Sequence, residues 1–183
     1  MSQLGLSQGS ALSGEHPQPI KLADEGAILT LNNHHARELS WLDGEGLRAL
    51  LGLSWWARQI RGQGPGRPLL AFAWAMDQDA LYDNPNFRWF KRRWCWRRFI
   101  YLDRICVADA AQGRGLGREL YRDLWKAMAT AVQNRLVCEV NHQPPNPASD
   151  AFHAALGFRP VGRGTLHGGA KTVTYLLKDG GTM

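Results

Sequence analysis

The residues best placed to do chemistry run from Ile105 to Arg118, where an apolar strand pattern gives way to a helical one through a glycine-rich turn. Such a junction suits an anion, pyrophosphate above all. The first turn of a helix has N–H groups without helical acceptors and carries the positive end of the macrodipole, and glycines let a phosphate approach the main chain. Arg114 and Arg118 add positive charge at the same end. Spacing separates the phosphate cradles from one another. A dinucleotide fingerprint needs Gly-x-Gly-x-x-Gly, but its third glycine falls on Arg118 counted from Gly113 and on Leu120 counted from Gly115. A Walker loop needs Gly-Lys-Ser/Thr, which the chain lacks.

What stands after Val107 is Gln112-x-x-Gly115-x-Gly117. This resembles the coenzyme A pyrophosphate loop of the GNAT superfamily of N-acetyltransferases. A second segment, from Asn146 through Phe152 and His153 to Gly157-Phe158, is similar to that superfamily's later motif. Taken without the family, Asn146 is an N-cap, Pro147 the first helical residue and Gly157 a left-handed stop. The resemblance implies an α/β (mixed α+β) GNAT-like fold, a twisted mixed sheet of about six or seven strands flanked by about four helices. It also implies an N-acetyltransferase that moves the acetyl group of acetyl-CoA directly to a primary amine. By the same resemblance, the backbone of Ile105, Cys106 and Val107 pairs with the pantetheine arm, and Gln112, Gly113, Arg114, Gly115, Leu116, Gly117 and Arg118 hold the pyrophosphate. Asn146 matches the asparagine that contacts the cofactor.

Acetyl transfer to an amine asks for a neutral nucleophile, so a carboxylate must take a proton from an alkylammonium directly or through water. Glu139 is the first choice. It lies inside the apolar strand pattern Leu136–Val140, where an unpaired carboxylate is costly. Asp103 is the second, placed by strand alternation on the same face as Ile105 and Val107. In the family, a tyrosine in the Asn-to-Gly-Phe helix meets the leaving thiolate. Here that position holds His153, whose imidazole can donate a proton near neutral pH but reaches less far.

The acidic, aromatic stretch around Asp77, Asp79 and Tyr82 is a candidate for selecting a cationic acceptor, small molecule or peptide. It fails as a calcium loop, because the required glycine falls on Tyr82 and the closing glutamate on Arg88. His34, beside His35, sits in a region that walls the acceptor pocket in the family. Three cysteines without C-x-x-C spacing support neither a disulfide framework nor zinc, and no metal is expected. A net charge of +6 calls for an acidic ligand, which coenzyme A satisfies.

Nucleic acid is the rival, through the basic aromatic run Arg88–Arg98. A wet cationic face that buries Trp89, Phe90, Trp94 and Trp96 is the preferred reading of that run, so nucleic acid is not expected. The runner-up function is a coenzyme A sensor or nucleic-acid-associated regulator on the same fold, with little catalysis. Residues 1–26, rich in Ser, Gly, Gln and Pro, read as a flexible tail, and 27–183 as a single domain. Neither a signal peptide nor a membrane span is expected, which points to a cytoplasmic protein; the oligomeric state is open, a homodimer included.

The elements expected to position these groups are a strand Ala27–Leu31 and a helical stretch from Asn32 to Trp56, broken near Asp43-Gly44. After a turn at Gly62–Pro68 come strands Leu69–Met76 and Phe99–Val107, then a helix from Gly115 to about Gln133. Strand Leu136–Val140, the Asn146 helix and closing strands Phe158–Arg163 and Thr172–Leu177 complete the order.

Overall fold

The computed structural model of the chain describes residues 15–180. Gln18–Pro19 (β1) pairs antiparallel with Trp56–Arg61 (β2), so the later part of the expected 1–26 tail is built into the sheet. Residues 1–14 lie outside the described residues.

Between these strands stand three helices, Glu25–His34 (α1), Ala36–Leu39 (α2) and Gly44–Leu53 (α3). The expected strand Ala27–Leu31 is therefore the body of α1. A five-residue apolar run has no decisive period of its own, and here Ile28 and Asn32, four apart, form the buried stripe of a helix. The expected break at Asp43-Gly44 is real: Asp43 caps α3 by accepting the Gly46 N–H at 2.7 Å. Trp56 does not end that helix but opens β2, with its indole N–H donating to Asp123 at 2.9 Å.

Leu69–Asp77 (β3) is buried at every residue from Ala71 to Met76, as a strand covered on both faces must be. Pro85–Arg93 (α4) follows, capped by Asn84 with Pro85 at its first position. Then come Ile100–Val107 (β4), Leu116–Thr130 (α5), Arg135–Gln143 (β5), Pro147–Ala155 (α6), Arg159–Leu166 (β6) and Lys171–Asp179 (β7). The sheet order is β1-β2-β3-β4-β5-β7-β6, antiparallel throughout except for the parallel pair β4–β5. This is the expected mixed sheet, with six α-helices among the described residues rather than about four, because residues 25–53 divide into three and α4 adds another.

Two cores sandwich the sheet. On one face Leu116, Leu120, Leu124 and Met128 of α5 pack with Leu156, the residue that caps the end of α6, against Ala71, Ala73, Ala75 and Cys138. The other face buries Ile28, Leu47, Phe87 and Phe90, from α1, α3 and α4, against Phe72, Trp74 and Tyr101. The basic aromatic run is split between these surroundings and solvent. Phe90 is fully buried, and Trp94 stacks on it at 5.6 Å between ring centroids. Trp96, expected to be buried, is 93% exposed, because α4 ends at Arg93 and Trp96 lies past the helical stripe.

Trp89 lies flat on Tyr175, with centroids 4.0 Å apart, and Gly162 of β6 leaves the room for it: a β-carbon there would stand 2.6 Å from Trp89 Cζ2. Gly162→Ala is expected to destabilise the fold by about 1–3 kcal/mol, the usual range for overpacking. Urea unfolding followed by tryptophan fluorescence checks this.

Candidate active site

β4 and β5 run side by side but pair only at Ile100 with Leu136 and at Tyr101 with Val137. Beyond those residues β4 stays on β3 as far as Val107 and β5 stays on β7 as far as Gln143, so the two strands part. The main-chain groups of 102–107 that face the gap have no strand opposite them, and polar backbone in such a place asks for a partner. A cavity of about 760 Å³ fills the gap, bounded by β4 from Leu102 to Val107, by β5 from Cys138 to Asn141 and by the loop into α5.

That loop is shaped for an anion. Gly113 and Gly115 have φ of 74° and 82°, in the left-handed region that glycine enters without steric cost. Gly115 is the N-cap of α5, so the N–H groups of the first helical turn open beside it. Gly117 has a different duty: a β-carbon would lie 3.0 Å from Phe152 Cζ, so its bareness lets α6 close on α5. Gln112 donates its amide to Asp109 Oδ1 at 3.0 Å, which holds the turn before the loop. Arg118 lines the cavity, whereas Arg114 does not and pairs with Glu15. Asn146 lines it too while capping α6 through the Ser149 N–H at 3.1 Å. Free helix-start donors, left-handed glycines, Arg118 and an unpaired stretch of β4 fit a diphosphate joined to an amide-bearing arm.

The carboxylates lie on the other face of the sheet. Opposite β3 the register steps from Arg104 with Trp74 to Leu102 with Ala75, so Asp103 occupies a bulge. Alternation therefore breaks there. Asp103 does not share a face with Ile105 and Val107, as the sequence pattern suggests, but turns toward Trp74 and Tyr82, which donate to it at 2.9 and 2.7 Å. Arg104 Nε adds an ion pair at 3.5 Å. Both oxygens of Asp103 are thus engaged.

Glu139 borders the same cavity with one oxygen held and one free. Oε1 accepts from Asn86 Nδ2 at 2.7 Å and from the Tyr101 hydroxyl at 3.0 Å, while Oε2 is buried with no partner. Asn86 is fixed in turn by the Tyr175 hydroxyl at 3.1 Å. Burial first, and the charge of Asp103 second, push the Glu139 carboxyl up to about 8, against the opposing pull of the Tyr101 and Asn86 hydrogen bonds and of Lys171. Lys171 is itself pushed down, by burial first.

His153 borders the cavity, but its ring is 3% exposed and both nitrogens are engaged. Nδ1 lies 2.7 Å from the Ser149 carbonyl and so carries the proton; Nε2 then accepts from the Tyr121 hydroxyl at 2.7 Å. Burial pushes its pKa down, which favours this neutral form. Tyr121 also meets Cys138, whose thiol burial raises well above the ordinary value, and burial raises Cys106 to about 12. Neither thiol is a nucleophile at neutral pH.

Of the acceptor candidates, Tyr82 reaches the cavity. Asp77 and Asp79 lie outside it and are tied to Arg98 at 3.0 and 2.8 Å. His34 also lies outside and bonds Asp109, while its neighbour His35 lines the wall. Sequence reasoning missed Tyr101, Asn86, Tyr175, Arg104 and Lys171. Only the fold joins them, since Asn86 and Glu139 are 53 residues apart.

A mixed α/β domain whose central sheet is split beside a glycine-capped helix start is the class these features define. Residues 80–158 match the Acetyltransferase (GNAT) family. Phosphinothricin N-acetyltransferase of Streptomyces coelicolor is 41% identical over 58 residues, 32% of this chain and 33% of that protein. The match thus spans about a third of the length of this curated relative. The ribosomal-protein-S18-alanine N-acetyltransferase of Escherichia coli superposes with a TM-score of 0.64 at 17% identity, over 92% of this chain and 96% of that one. The putative acetyltransferase yncA of Salmonella typhimurium, solved with its cofactor acetyl-CoA, gives 0.63 at 21% identity over 91% and 94%. NAA60 of Arabidopsis thaliana, solved with a bisubstrate analogue, gives 0.67 at 14% identity over 91% and 98%. Among the described residues no helix is long and apolar enough to cross a membrane.

Proposed function

We propose that the chain is an acetyl-CoA-dependent N-acetyltransferase acting directly on a primary amine. The observation that carries the reading is the parting of β4 and β5, which leads from the glycine-rich start of α5 past unpaired β4 backbone to Glu139. Bound acetyl-CoA supplies the activated acyl group. Helix-start N–H groups and Arg118 bind its diphosphate, and the backbone of Ile105, Cys106 and Val107 orients its arm.

Glu139 is the general base. A carboxyl raised to about 8 is matched to drawing a proton from an ammonium near neutral pH, and the free Oε2 is the oxygen that takes it. Asp103 is a positioning residue, holding Tyr82 and Trp74 and raising Glu139 by its charge. His153, with Nε2 accepting from Tyr121, braces α6 on α5 and has no free nitrogen for the leaving sulfur, whose proton is left to solvent.

The acceptor end of the wall sets Arg104 and Lys171 beside Glu38, Asp103 and Glu139. Counter-charges of both signs suit a small amine that carries its own anionic group. A thiol-release assay with acetyl-CoA over amino acids, polyamines and peptides is expected to give thiol most rapidly with the zwitterionic amines. No release with any amine, from folded protein, would defeat the reading.

A further inference from the structure

Outside this chemistry, three side chains from two distant parts of the chain converge at the rim of the cavity. His34 ends α1, His35 joins α1 to α2, and Asp109 opens the short turn between β4 and the glycine loop. His34 Nε2 lies 3.0 Å from Asp109 Oδ2 and His35 Nε2 lies 3.5 Å from Asp109 Oδ1. One donor atom from each of the three falls within 4.8 Å of the others. The imidazoles stand nearly perpendicular, at 88°, and this lets two adjacent residues turn a ring nitrogen toward one carboxylate.

The second observation is His35 Nε2. The atom is buried, on a side chain that is 20% exposed, and makes no hydrogen bond although Asp109 Oδ1 lies 3.5 Å away. A ring nitrogen left without a partner beside two other ligand atoms is a donor that a cation would satisfy.

We propose that His34, His35 and Asp109 bind a divalent transition cation, zinc fitting best, with water completing four-coordination. Donors held about 2.0–2.2 Å from zinc in a tetrahedron stand roughly 3.3–3.6 Å apart; the His35 separation of 3.5 Å falls inside that span, and the His34 pair at 3.0 Å has only to open slightly to admit the ion. Two imidazoles and one carboxylate suit zinc and its neighbours, whereas magnesium and calcium prefer oxygen ligands throughout. Zinc takes the place of the proton between His34 and Asp109, and that proton goes to solvent. With His34 65% exposed and Asp109 63% exposed, the ion has an open path in.

The cation would pin the joint between α1 and α2 to the turn that feeds the phosphate loop. Gln112 already donates to the same carboxylate at 3.0 Å, so Asp109 would be shared by ion and loop. The site stands on its own geometry and does not depend on the transferase reading.

The test titrates the metal-free full chain with Zn²⁺ by calorimetry and with Co²⁺ by visible absorption. Expected are one equivalent of zinc with a dissociation constant in the micromolar range or below, and the strong visible bands of four-coordinate cobalt. His34→Ala and His35→Ala should each weaken zinc by at least about 10- to 100-fold, since loss of a residue that merely orients a metal ligand already costs that much. His34→Ala removes an exposed side chain, so it keeps the test decisive should His35→Ala fail to fold. Zinc binding weaker than about 1 mM, or of equal strength in wild type and folded His34→Ala, would overturn the proposal.

Discussion

Glu139→Gln is expected to lower turnover by about 10²- to 10⁴-fold, the span of general acid–base catalysis, while acetyl-CoA binding is unchanged. Glutamine keeps the shape and can still accept from Asn86 and Tyr101 at its oxygen, so only the proton acceptor is lost. In the wild-type chain, kcat/KM should rise with pH through about 8 as the Glu139 carboxyl ionises. Stability should move the other way. A carboxyl whose folded pKa lies above its ordinary 4.5 stabilises the fold fully below that value, and the contribution is lost as pH rises through about 8. A tenfold change in proton affinity between the folded and unfolded chain is worth about 1.4 kcal/mol, so the variant should be the more stable protein at pH 9 and no more stable at pH 4. Steady-state kinetics and urea midpoints across that range read both effects. A variant with undiminished turnover would remove Glu139 from the mechanism.

The second large effect belongs to the loop. Gly115→Val is expected to weaken acetyl-CoA by about 10-fold or more in calorimetry, with helix content by circular dichroism unchanged. At φ 82° an L-residue costs about 1–2 kcal/mol and a β-branched one is a genuine outlier. The unliganded loop can relax to avoid that strain, and binding must then force it back, which moves the cost onto affinity at about 1.4 kcal/mol per tenfold. Equal affinity in the two proteins would mean that the start of α5 does not grip the diphosphate.

These two positions are legible in the sequence for local reasons. Gly113, Gly115 and Gly117 mark a turn whose main chain a phosphate can approach, and Glu139 stands out as a charge inside an apolar strand. Legibility ends where distance along the chain begins. The Asn86 and Tyr101 bonds to Glu139 need α4 and β4 laid against β5, and no spacing encodes that. Strand alternation puts Asp103 on the wrong face because one bulged residue inverts every later alternation in β4. Ala27–Leu31 reads as a strand because a short apolar run is ambiguous until its neighbours show whether burial recurs every second or every fourth residue. β2 is hidden for the same reason, its Trp56 completing a helical pattern that has already ended at Leu53. The histidine-aspartate cluster lies beyond any motif search, with 75 residues between His34 and Asp109.

In the sheet itself β4 and β5 share only two backbone pairings, at Ile100 and Tyr101. The molecule is thus nearly two half-sheets, β1–β4 and β5–β7, sewn together at one end of a seam. A ligand lying in the open part of that seam would stand in for a missing strand and tie the halves to each other. The chain's cohesion would then be partly on loan from whatever it carried, and unravelling would come most readily to the empty form.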